Sequence, residues 1–147
     1  MDKPYYPYER PTTEIKYDFW SVSNEKQVRK QVIFSALDTP NIYNLALVDI
    51  LENGNMSDIT ETRNKDMRTV LATVIRIIDS FLNQYPAAIV HFRGSDERRQ
   101  RLYRLIISRE LAEIQKKFVV LGGFNDIQPE PFQANQQYDY FLILNAL

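Results

Sequence analysis

The chain has 147 residues, 44% of them hydrophobic, which suits one globular domain with a substantial core. Its 18 basic and 19 acidic side chains nearly cancel, which excludes a global field that would draw it onto nucleic acid or an anionic membrane, so any anion binding must be local. The absence of cysteine excludes disulfides, thiol catalysis and thiolate metal sites together.

The first dozen residues interleave Pro4, Pro7 and Pro11 with Tyr5, Tyr6 and Tyr8, a composition for extended backbone, and residues 1–14 are expected to form an arm ahead of one domain over 15–147. This amino-terminal stretch has no apolar core for a signal peptide, and no later run is long enough to span a bilayer. The expected location is the cytoplasm, without membrane contact. "EIKYDFWSVS" and "KQVRKQVIFSAL" alternate aromatic or β-branched residues with polar ones around the turn "SNEK", a β-hairpin pattern. "IYNLALVDIL" is a third strand, and its fuller apolar content predicts a central place covered on both faces. In "DMRTVLATVIRIIDSFL" the period lengthens: Met67, Val70, Leu71, Val74, Ile78 and Phe81 recur at the spacing of one helix face. Asn64 or Asp66 starts that helix and Pro86 closes it before the short strand "AAIVHF". A second helix is predicted from Ser95 to about Lys117, then the strand "FVVLGG", a loop over "GGFNDIQPEPFQANQQ" and a last strand in "YDYFLILNAL". The expected architecture is α+β, a mostly antiparallel sheet of about six strands with two long helices on one face, in the order β-β-β-α-β-α-β-β.

The segments "YNLALVDI", "DMRTVLATV", "RGSDERRQRLYRLII" and "YDYFLI" occur in an order that resembles a small, uncharacterised bacterial domain family over nearly the whole chain. The junction carries most of the resemblance, a Gly-Ser-Thr followed by Arg-x-Arg-Leu-Tyr-Arg, matched here by Gly94, Ser95, Arg99, Arg101, Leu102, Tyr103 and Arg104. Asp96 stands where that family usually has threonine, and Lys65 where it often has glycine. The resemblance implies the fold and no activity.

The junction also has a chemistry of its own. Gly94 lets the backbone turn, and Ser95 is a strong N-cap type, so the free N–H groups of the first helical turn would form a local anion trap. Five arginines (Arg93, Arg98, Arg99, Arg101, Arg104) surround it against two acids, Asp96 and Glu97. At about 100° per residue, Leu102, Tyr103, Ile106, Ile107, Leu111 and Ile114 share one face with Arg99, while Arg98, Arg101 and Arg104 project to solvent. An inward Arg99 requires a partner: a carboxylate, with Asp49, Asp58 and Asp66 as candidates, or a ligand.

Elsewhere the chemistry is sparse. His91 is the sole histidine and lies in an apolar strand, so neither a metal centre nor a cofactor is expected. No Gly-x-Ser-x-Gly elbow accompanies it, and the Gly122-Gly123 pair reads as a turn, because no helix follows. No catalytic residues are assigned. The expected function is a noncatalytic binding or interaction domain in which Gly94, Ser95, Arg99, Arg101 and Tyr103 receive an anionic ligand or a protein partner; self-association is compatible with this, and tight duplex DNA binding is not. The alternatives are a metal-independent RNA-binding or RNA-cleaving effector of a bacterial defence or toxin-antitoxin system, with Tyr103 or His91 assisting, and a structural subunit that covers a partner's apolar surface.

Overall fold

The computed structural model describes residues 14–22, 27–51, 56–58 and 64–146, with backbone alone at 56–58 and 64–66. The arm expected over 1–14, apart from Glu14, and the "SNEK" turn at 23–26 lie outside the described residues, as do the side chains of Asn64 and Asp66. Strands Ile15–Val22 (β1) and Gln27–Ala36 (β2) pair antiparallel from Ile15↔Phe34 to Val22↔Gln27. β2 pairs in turn with Ile42–Ile50 (β3), after a reversal in which Asn41 takes the left-handed conformation (φ 68°) that asparagine tolerates. The expected three-strand meander is therefore present.

The free edge of β3 is shared. Its carboxyl half pairs with the short strand Met56–Asp58 (β4), and its amino half pairs in parallel with Ile89–Phe92 (β5) from Ile42↔Ile89 to Asn44↔His91. A parallel neighbour requires a crossover, which helix Asn64–Gln84 (α1) supplies. Helix Glu97–Ile114 (α2) then carries the chain to Phe118–Phe124 (β6), and Ile127–Pro131 (β7) folds back on β6. The last strand, Tyr140–Asn145 (β8), enters between β5 and β6, antiparallel to both. The sheet order is β1-β2-β3-β5-β8-β6-β7, with β4 beside β3.

The fold is α+β, as expected, with more strands than the expected six. β7 occupies part of the stretch read as loop: Pro129 and Pro131 hide it from sequence reasoning, yet an edge strand can spare their missing N–H donors. Gly122 and Gly123 lie within β6, not at a turn. The rings of Tyr138 and Tyr140 occupy the space that a Cβ at each would need, so these glycines serve close packing.

Both helices pack on the same face of the sheet. One core cluster joins α1 through Val70, Val74, Ile78 and Phe81, and α2 through Tyr103, Ile107 and Ile114, to inward strand residues. Phe34 of β2 stacks on Phe81 with ring centroids 4.0 Å apart and planes 5° from parallel. At the carboxyl end of α1, Asn145 Nδ2 donates to Leu82 O (3.1 Å), tying β8 to a carbonyl of the last turn. Strand parity sends Lys30 and Asp49 into this same covered face, where both side chains are 0% exposed and Lys30 Nζ donates to Asp49 Oδ1 at 2.7 Å. The opposite face carries no helix among the described residues, so the expectation that β3 is covered on both sides is corrected: helices cover one. No helix of the described residues is long and apolar enough to cross a membrane.

Candidate functional site

The site begins where β5 meets α2. Gly94 is buried, and a Cβ there would run into the backbone of Arg99 and Gln100, so only glycine lets the strand end approach the helix this closely. Its N–H donates to Gln100 Oε1 (2.6 Å), and Gln100 Nε2 donates to Tyr138 O (2.9 Å). One amide side chain thus fastens the junction to the segment leading into β8.

The helix start differs from the sequence expectation. The N-cap is Asp96, not Ser95: Asp96 has extended backbone (φ −149°, ψ 173°) and its Oδ1 accepts from Arg99 N–H at 2.8 Å. Arg99 Nη1 donates to Asp96 Oδ2 (2.8 Å) and to Ser95 Oγ (3.0 Å), with its side chain 20% exposed. The first turn therefore carries its own carboxylate at the position where an external anion was expected. The partition of Asp49 is equally plain, because its cation is Lys30 and not Arg99. The side chains of Asp58 and Asp66 are outside the described residues. Tyr103 is buried in the core with its ring centroid 6.1 Å from that of Phe92, and it faces the cleft between α1 and α2 and not the arginines of the opposite flank.

One side of α2 remains open. A groove of about 860 Å3 runs along it, walled by Arg98, Arg101, Leu102, Arg104 and Leu105 on the helix and by Gln137, Tyr138 and Asp139 opposite. The three arginines recur every third residue and so share this flank. Among the described residues neither Arg101 nor Arg104 forms an ion pair; Glu97 and Asp139 are the acids of the lining. Asp139 Oδ2 already accepts from Asn125 N–H (3.0 Å). The far wall is held rigidly: the Tyr138 hydroxyl accepts from Gln133 N–H (3.0 Å) and donates to Glu130 Oε2 (3.1 Å), and burial raises its pKa above the usual phenol value. Of the residues chosen from sequence, the structure brings Arg101 to this groove and leaves Gly94, Ser95 and Arg99 at its head. Gln100 and the arginine stripe were missed as a unit. The threefold spacing was visible in the sequence, but the wall opposite it was not.

A second cleft of about 400 Å3 separates α1 from α2 over Phe92 and Phe118; the ion pair of Arg68 with Glu110 (2.9 Å) bridges the helices, and Lys117, in the turn after α2, meets Asp79 of α1 (3.3 Å). His91 lies on the helix-free face of the sheet. Asn44 Oδ1 can only accept, so His91 Nδ1 donates to it (3.1 Å), and the ring sits 5.2 Å from that of Tyr140. Burial first, and the charge of Arg93 second, lower the pKa of His91 below 6.5.

Residues 2–146 match the model of a family of unknown function, DUF6934, and the chain belongs to that family. No curated protein and no solved structure matches the chain.

Proposed function

We propose that this member of the DUF6934 family is a noncatalytic binding domain whose groove along α2 receives an anionic group of a ligand or partner. The observation that carries the reading is the pair Arg101 and Arg104, two cations on one flank of a concave surface with no internal ion-pair partner among the described residues. Arginine suits this task because its planar fork of donors matches the oxygens of phosphate or carboxylate. The head of the groove supports the same reading in a different way. Asp96, Arg99 and Gln100 are engaged with one another and with the backbone, which leaves them to hold the frame, not the ligand.

Calorimetric titration with inorganic pyrophosphate and with a short single-stranded RNA tests the proposal. Both anions are expected to bind wild type, and Arg101→Ala/Arg104→Ala is expected to weaken them at least about tenfold, because each lost charge-assisted hydrogen bond is worth about 1.5–3 kcal/mol. Circular dichroism should show the variant folded. Equal binding by wild type and variant would overturn the assignment. Cleavage of the RNA would replace the noncatalytic reading with the effector reading.

A further inference from the structure

The cleft between α1 and α2 lies on the flank of α2 turned away from the arginine groove. Phe92 and Phe118 form its floor, Val74 and Ile75 line the α1 side, and Ile106 and Ile114 line the α2 side. Ile75 and Ile106 are only partly buried, so hydrocarbon that closer helix packing would have covered stays within reach of a ligand. The charged side chains stand at the rim, and each acid among them has a cation: Glu110 has Arg68, Asp79 has Lys117, and Glu113 has Lys116 at 3.0 Å. The reverse does not hold. Arg76 lines the cleft from the middle of α1, is exposed, and forms no ion pair among the described residues.

We propose that this cleft binds an amphipathic monocarboxylate, its alkyl chain laid between the helices and its carboxylate on Arg76. Charge complementarity selects the head group. With the acids of the rim already neutralised, Arg76 is the charge left for a ligand, and its guanidinium offers a carboxylate two parallel N–H donors. An ammonium head group would meet repulsion there. The apolar walls select the body: a sugar or a nucleobase set between Ile75 and Ile106 would leave donors and acceptors unmet, a cost that an alkyl chain does not carry.

Size and length agree on the chain. At roughly 30 Å3 per water-sized group, a cleft of about 400 Å3 takes about a dozen non-hydrogen atoms, the size of a ten-carbon acid. The ion pairs at Arg68 and at Asp79 stand about 16 Å apart along α1, at about 1.5 Å of rise per residue, which is room for such a chain extended along the helices. Because Arg76 sits at the rim in reach of water, the alkyl chain supplies most of the affinity and the arginine supplies the preference for a carboxylate.

Calorimetric titration of the full chain with decanoate and with decylammonium, the same alkyl chain carrying the opposite charge, tests the proposal. Wild type is expected to bind decanoate with a Kd of about 10–100 µM and to prefer it over decylammonium at least about fivefold. Arg76→Gln should abolish that preference by weakening decanoate about fivefold. Ala72→Trp places a ring in the cleft from an exposed position of α1 and should abolish saturable binding of both ligands, which separates the cleft from nonspecific uptake of a surfactant. Arg109→Gln, an exposed position of α2 outside the cleft, is the control and should leave the decanoate Kd unchanged. Circular dichroism establishes that each variant is folded. A wild type without saturable decanoate binding below about 1 mM, or one that binds both ligands equally, would overturn the proposal. So would a decanoate affinity indifferent to Arg76→Gln or to Ala72→Trp.

Discussion

The two faces of the sheet treat polarity in opposite ways. The helix-covered face holds a lysine and an aspartate at zero exposure and neutralises them against each other, while the helix-free face pairs Asp18 with Arg29 across β1 and β2 and sets the hydrogen-bonded Asn44 and His91 among aliphatic residues at its centre. The covered face tolerates Lys30 because Asp49 faces it across the β2–β3 register and meets it at 2.7 Å. The helix-free face carries His91, whose pKa burial first and the charge of Arg93 second hold below the usual imidazole value. A packed core admits charge only in pairs, whereas the helix-free face carries its charges where water can reach them.

The largest expected effect breaks the covered face. Asp49→Ala leaves a buried ammonium without its counter-ion and should cost about 3–5 kcal/mol in urea unfolding. Lys30→Met/Asp49→Leu removes both charges and should recover most of that loss or exceed wild type. A double variant as unstable as Asp49→Ala would show that the pair contributes more than mutual neutralisation.

A matched pair of truncations sharpens the comparison at intermediate size. Phe34 is fully buried on the covered face, and Trp20, on the neighbouring strand, is 61% exposed on the other. Phe34→Ala should lose about 3–5 kcal/mol, and Trp20→Ala less than about 1 kcal/mol, despite its larger ring. The same unfolding measurement checks both.

The smallest effect concerns pH. His91 has a folded pKa below its unfolded value of 6.5, so the unfolded chain binds the proton first. Its contribution to stability is complete above pH 6.5 and declines as pH falls from there towards the folded pKa. His91→Gln should remove that part of the pH dependence, measured as the difference in unfolding midpoint between pH 7.5 and pH 5. An unchanged pH slope would place the titration elsewhere.

Much of the fold was legible in the residues themselves. Helix α1 announced itself because Met67, Val70, Leu71, Val74, Ile78 and Phe81 obey a period that only a helix face satisfies, and all six are buried. The β1-β2-β3 meander was legible for the same reason: alternation and short connections make neighbours in sequence neighbours in space. The order of the remaining strands was settled by tertiary structure. Nothing in "YFLILN" says that it enters between β5 and β6, because apolar strands carry no local mark of which edges they join.

The candidate site divides in the same way. The glycine and the arginines were readable as residues, but the N-cap was expected at Ser95 and is Asp96. Which carboxylate each cation meets was not readable, since ion-pair partners are chosen by three-dimensional proximity: Asp49 meets Lys30 from 19 positions away, and Arg99 meets Asp96 only three away. Periodicity specifies the direction in which a side chain leaves its own backbone. What it finds there depends on the packing of the whole chain, and that is why Gln100, Tyr138 and the wall of the groove emerged only with the fold.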